Sequence, residues 1–142
     1  MLVAVNEAEQ IINLLEFSKS DLTELVGQFL RCPACKSQVR LKNGHVKMPH
    51  FAHVNLAACQ YYSENESLQH LTLKKRLYHW FKQTEQVKIE HFLPELQQTP
   101  DLLVNETIAI EIQCSHLSIQ RLRERTETYR AHGYTVLWLM GK

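Results

Sequence analysis

The sequence predicts an α/β protein with a mixed sheet, preceded by a small β-rich module, and three observations carry that expectation. From Glu66 onward, amphipathic and apolar runs follow in the order helix, strand, strand, strand, helix, strand. The second helix lies between the last two strands, which is the crossover that a parallel pair requires. Ahead of these, short alternating runs surround Cys32-Pro33-Ala34-Cys35, in a stretch with few large apolar residues. The expected division is therefore residues 1–62 and residues 63–142.

Met1 to Val5 and Ile11 to Glu16 read as a β-hairpin around a polar turn, the second run being equally able to start a helix. Ser20-Asp21-Leu22-Thr23-Glu24 offers a capping serine and an acidic first turn, so a short helix is expected to about Val26. Gln38 to Lys42 alternates as a strand, Asn43-Gly44 signals a hairpin turn, and His45 to Met48 is expected to return from it. Two cysteines on a knuckle, with His50, His53 and Cys59 arriving from the far side of that hairpin, resemble a zinc ribbon. Cys32, Cys35 and Cys59 supply three ligands for structural Zn²⁺; His53, nearer Cys59, is preferred as the fourth, with His50 the alternative. The competing reading is a redox Cys-x-x-Cys or plain thiols, but a redox motif belongs at a strand-to-helix turn and this one precedes a hairpin. A metal would also supply the stability that so small a core lacks.

In the second part, Leu68, Leu71, Leu73, Leu77, Tyr78, Trp80 and Phe81 place one apolar stripe on a helix of some 17 residues opened by Ser63-Glu64-Asn65-Glu66. Its other face is read as basic, with Lys74, Lys75 and Arg76, and Glu66 and His70 share a face near its start. Val87 to Phe92 alternates as a strand. Pro100 to Gln113 reads as two strands joined at Asn105-Glu106. Ser118 to Arg130 forms a second helix buried along Ile119, Leu122, Thr126 and Tyr129, with Arg121 and Arg125 on the remainder and Gly133 at its end. Thr135 to Met140 is a continuous apolar run, expected as a strand buried on both faces.

Side chains alternate along a strand, so Glu111 and Gln113 share a face, and the hairpin sets Asp101 beside Glu111. Two carboxylates and an amide at one sheet edge suit a hard divalent cation and phosphodiester chemistry. An ordinary half-buried strand would alternate in the same way.

The net charge of +1 does not advertise nucleic-acid binding as a strongly basic domain would, so any DNA contact is expected from local patches such as Lys74, Lys75, Arg121 and Arg125. No apolar run is long enough to span a membrane and no secretory leader is evident, so a cytoplasmic protein with reduced cysteines is expected.

Pro100-Asp101 followed by Glu111-x-Gln113, within this order of elements, resembles the PD-(D/E)xK restriction-endonuclease-like superfamily. The chain resembles most closely its competence protein CoiA branch, through Cys32-Pro33-Ala34-Cys35, His50-Phe51-Ala52-His53, Glu66-Ser67 with His70, Pro100-Asp101, Ile110-Glu111-Ile112-Gln113 with Ser115, Arg125-Thr126 with Tyr129, and Val136-Leu137-Trp138. The resemblance implies a restriction-endonuclease-like core behind a zinc-finger-like segment, in a family whose members tend to be longer than this chain. It implies a role in processing or recombining DNA taken up in natural transformation. The expected partners are single-stranded DNA or recombination intermediates, and recombination proteins. It assigns Asp101 and Glu111 to Mg²⁺ or Mn²⁺, Glu66 to the metal shell, and Gln113 to the position of the superfamily's catalytic lysine. The alternative is a non-catalytic DNA-binding or recombination-mediator module.

Overall fold

The computed structural model describes residues 1–44, 47–55, 59 and 66–141. The chain divides into two compact units, Met1–Glu66 and Ser67–Lys142. In the first, strands β1 (Val3–Val5), β2 (Ile11–Asn13), β3 (Leu30–Arg31), β4 (Gln38–Lys42) and β5 (His50–His53) form one antiparallel sheet in the order β2-β1-β3-β4-β5. Leu2, Val3, Ala4 and Val5 are buried at its centre with Leu30, Val39 and Phe51. The segment expected as a short helix is a 3₁₀ turn, Asp21–Leu25, and its opening is held by Ser18 rather than Ser20. Leu22 and Leu25, three apart, are its buried residues, and a 3₁₀ turn places that spacing on one side.

The hairpin after β4 is wider than Asn43-Gly44 suggests. Lys42 pairs with His50, so the strand paired with β4 is His50–His53, later in the chain than the expected return. His45 and Val46 lie outside the described residues, as do Ser63, Glu64 and Asn65 of the expected first turn of the long helix. The later register places His53 opposite Val39, close to the knuckle that follows β3.

In the second unit, helix α1 (Leu68–Lys82) is capped by the Ser67 side chain, which accepts from the His70 N–H. Glu66 therefore precedes the helix. Strands β6 (Val87–Ile89), β7 (Leu102–Val104), β8 (Ile108–Gln113) and β9 (Thr135–Met140) form a mixed sheet in that order, antiparallel except for the β8–β9 pair. Asn105 and Glu106, both with positive φ, make the tight turn between β7 and β8 that matches the strand twist. Helix α2 (Ile119–Ala131) crosses between β8 and β9. Its Tyr129 is buried with Leu93, Leu96, Leu103 and Ala109, so α2 covers the face that also carries Glu111. Helix α1 packs on β6, β7 and β8 from the other side, over Ile89, Leu102, Ile110 and Ile112.

Three side-chain placements differ from the sequence expectation. Strand β9 is not buried on both faces: Leu137 is 50% and Leu139 41% exposed, because β9 is a sheet edge and only its α2 side is covered. Ile119 is exposed, since it lies in the first turn of α2, where the helix is only entering the layer. Lys74 is buried, not part of the basic face. It lies three residues after Leu71 and four before Tyr78, on the stripe that faces the sheet.

Helix α2 ends in a Schellman arrangement: Tyr134 N–H donates to Tyr129 C=O at 3.0 Å, and Gly133 N–H to Arg130 C=O at 3.1 Å. Gly133 has φ +85°, and nothing would obstruct an added Cβ, so its requirement is conformational rather than steric. Gly133→Ala is expected to cost about 1 kcal/mol in urea denaturation.

Candidate functional site

In the first unit, the knuckle after β3 is built by backbone bonds. Cys32 N–H donates to Ser37 C=O at 2.8 Å, Lys36 N–H donates to Cys32 C=O at 3.0 Å, and Lys36 takes φ 65° to close the turn. This directs Cys32 and Cys35 toward His53 and Cys59, and the four donor atoms all lie within 4.8 Å of one another. Cys32 Sγ is 3.9 Å from Cys59 Sγ, and Cys35 Sγ is 3.5 Å from His53 Nε2. Zn–S of about 2.3 Å and Zn–N of about 2.0 Å give tetrahedral edges of about 3.8 Å (S to S) and about 3.5 Å (S to N). The spacing and the donor chemistry therefore fit a metal such as zinc. His50 is not in the cluster; its Nδ1 lies 2.9 Å from Met48 C=O.

Metal ligation needs thiolates. Burial opposes ionisation of Cys35, but bonds from Ser37, Cys32 and His53 outweigh it and bring the thiol down to about 7. Burial pushes the Cys32 thiol up against the Cys35 and Ala34 N–H groups, which lower it, and the neighbouring thiolates add to the rise, so a cation is what would make a Cys32 thiolate favourable.

In the second unit, the β7–β8 hairpin positions the acidic residues. Asp101, just before β7, is 8% exposed and Glu111, on β8, is 4% exposed. Since Leu102 pairs with Ile110, Asp101 stands across from Glu111 and Ile112. Asp101 Oδ2 accepts the Ile112 N–H at 2.7 Å, and Asp101 Oδ1 lies 3.3 Å from both His70 Nε2 and Lys74 Nζ. Burial would raise the Asp101 carboxyl, but Lys74, His70 and the Ile112 N–H outweigh it and hold it below the usual range.

Glu111 behaves in the opposite way. Its Oε1 accepts from Arg125 Nη2 and from Tyr129 OH, each at 2.6 Å. Burial first, and then the charge of Asp101, push its carboxyl up to about 8 despite Arg125, Tyr129 and Lys74. Arg125 also lies over the Trp138 ring, whose Nε1–H donates to Thr126 Oγ1 at 2.9 Å. The two carboxylates repel across the hairpin, a donor pair to which a hard divalent cation is chemically suited.

Gln113 turns its amide nitrogen to Ser115, with Nε2 2.6 Å from the C=O. A carbonyl accepts only, so this contact assigns the amide orientation and leaves Oε1 as the acceptor of that amide. Glu66, the last residue of the first unit, pairs with the Met1 amino group at 3.1 Å. Of the basic residues expected on the surface, Lys75 and Arg121 are exposed. Lys74 and Arg125 instead pair with Asp101 and Glu111. Glu90 escaped the sequence reading altogether. It takes φ 49° directly after β6, and its carboxylate pairs with Lys74 at 3.1 Å. Lys74 did carry a signal, its position on the Leu71/Tyr78 stripe. Glu90 had none, because strand alternation says nothing of a left-handed residue at the strand end.

Two outcomes are expected. Elemental analysis should find about one zinc per chain, retained in His50→Ala and lost in His53→Ala. Glu111 titrates near 8 when folded, against an ordinary value of 4.5, so between these values the folded protein holds a proton that the unfolded chain releases. Its contribution to stability is complete below about 4.5 and is lost as pH rises through about 8. The stability difference between wild type and Glu111→Gln, measured by denaturation in chelator-treated buffer free of Mg²⁺, should show that loss across the interval.

Residues 66–142 match the family description "Competence protein CoiA, nuclease-like domain", and residues 14–62 match "Competence protein CoiA, N-terminal domain". The chain is 33% identical over 114 residues to the competence protein CoiA of Bacillus subtilis (strain 168), a match covering 78% of this chain and 31% of that relative. No solved structure matches. The nuclease-like match spans more than half of the sequence and the relative aligns along most of it, and on that ground the chain belongs to the competence protein CoiA family.

Proposed function

We propose that the second unit is a PD-(D/E)xK-type, divalent-metal-dependent DNA nuclease that processes DNA taken up in natural transformation, with the first unit stabilised by structural zinc. The observation that carries the reading is the juxtaposition of two buried carboxylates, Asp101 and Glu111, across one hairpin. The order of elements and the family's nuclease-like description support it.

Asp101 and Glu111 would hold Mg²⁺ or Mn²⁺, which when bound supplies Lewis-acid activation of the scissile phosphate and its attacking water. The other steps belong to the chain. The Ile112 N–H fixes Asp101 through Oδ2. Arg125 and Tyr129 both bind Glu111 Oε1, which leaves Oε2 as that residue's outward donor. Gln113, tied to Ser115 through Nε2, presents Oε1 to accept a hydrogen bond from water and orient it. An amide does not take up a proton at neutral pH, so its role is orientation and not general base catalysis. Glu66 is proposed for the metal shell on the strength of its family position. Lys75 and Arg121, exposed on α1 and α2, are proposed to neutralise DNA phosphates. Single-stranded DNA or recombination intermediates are the proposed substrates, and recombination proteins the proposed partners. A non-catalytic DNA-binding module is the second reading, favoured by the absence of a lysine at position 113.

Single-stranded and duplex DNA incubated with the protein and Mg²⁺ or Mn²⁺ test the choice. Wild type should cut, and Asp101→Ala should abolish cutting while leaving DNA affinity within a few-fold of wild type. Gln113→Ala should slow cleavage roughly five- to 150-fold, the equivalent of one lost buried hydrogen bond of about 1–3 kcal/mol. DNA binding by wild type with no metal-dependent cleavage would transfer the assignment to the binding module.

A further inference from the structure

Lys74 enters the carboxylate site from helix α1, and its side chain is 3% exposed. Nζ lies 3.1 Å from Glu90 Oε2 and 3.3 Å from Asp101 Oδ1. The stripe between Leu71 and Tyr78 otherwise calls for an apolar residue, and desolvating an ammonium carries a penalty that an ion pair repays only in good geometry. Stability alone therefore does not account for a lysine at this position. Two carboxylates share this ammonium, and His70 Nε2 lies 3.3 Å from the same Asp101 oxygen. Arg125 is already engaged with Glu111, and Gln113 is neutral and tied to Ser115.

We propose that Lys74 is the fixed positive charge of the carboxylate site, a positioning residue that orients Asp101 and takes the electrostatic role of the lysine that position 113 lacks. The inference rests on the nuclease reading of that site. Lys74, with His70, holds Asp101 Oδ1 from helix α1 while the Ile112 N–H holds Oδ2 from strand β8, so both oxygens are set in place. A divalent cation at Asp101 competes with Lys74, whose ammonium keeps Glu90 as a partner and stays within the site. The positive charge thus comes from a helix and not from the strand, and it is held in reserve on Asp101.

The test uses the full chain, with Mn²⁺ binding followed by electron paramagnetic resonance, and cleavage of DNA in Mn²⁺. Lys74→Met removes the competing charge, so Mn²⁺ should bind at least about threefold more tightly while cleavage falls at least about tenfold. Adding Gln113→Lys to Lys74→Met should recover most of that cleavage, which a lysine of merely structural importance on α1 would not permit. A folded Lys74→Met protein with unchanged Mn²⁺ affinity and unchanged cleavage overturns the proposal. A loss of cleavage with unchanged Mn²⁺ affinity and no recovery in the double variant also overturns it. Should Lys74→Met fail to fold, the Lys74 ammonium resonance of wild type, assigned against Lys74→Arg, decides: a Mg²⁺-dependent shift supports the proposal and none overturns it. Wild type that does not cut, with tighter Mn²⁺ binding in Lys74→Met, sinks the nuclease reading and leaves the Lys74 assignment standing. No Mn²⁺ binding in either protein overturns both.

Discussion

The second unit depends on keeping two carboxylates close together out of water. Asp101 and Glu111 face each other because β7 and β8 pair in one register, and a shift by one residue would turn Glu111 to the opposite face of the sheet. Burial, and after it the nearness of Asp101, disfavours charge on Glu111 and pushes its carboxyl up. The surrounding elements each bring a compensating group. Helix α1 brings Lys74 and His70, α2 brings Arg125 and Tyr129, and the strand itself brings the Ile112 N–H. Neither helix is only a cover for apolar surface.

These groups fall into two sets. Asp101 is held as an anion from the α1 side, and Glu111 is bound by hydrogen bonds from the α2 side while its burial favours the neutral form. A pair with such divergent titration is characteristic of a site whose charge is completed by something that binds there. The same logic governs the Cys32, Cys35, His53 and Cys59 cluster of the first unit, where burial disfavours the Cys32 thiolate that a metal would stabilise. Each unit thus holds one donor, Glu111 or Cys32, whose charged form is disfavoured by burial and would be favoured by a cation.

Periodicity and punctuation in the sequence were enough for the order of elements in the second unit, for both long helices and for the Gly133 terminus, whereas the Ser67 and Ser118 caps emerge only from the structure. The residues that converge were legible too, since Cys-x-x-Cys before a hairpin and two acids flanking a two-strand turn are local patterns. They stay in register over a few residues whatever packs on them. The preference for His53 over His50 followed from its nearness to Cys59, and the register that turns His53 toward the knuckle emerges only once Lys42 is seen to pair with His50.

Tertiary structure alone decided where each cation went. A lysine on an amphipathic helix reads as solvated unless a buried carboxylate waits beneath it, and Glu90 became that carboxylate only through a left-handed turn after β6. Arg125 reads as a surface charge until Trp138 and Glu111 converge on it from strands that are distant in sequence. Strand β9 looked buried on both faces because its residues are uniformly apolar, whereas its burial depends on what lies beyond the sheet edge. Local sequence determines backbone pattern and donor chemistry through sterics and hydrogen bonding between near neighbours. Burial and charge pairing depend on residues brought together from far along the chain, and those the folded structure alone discloses.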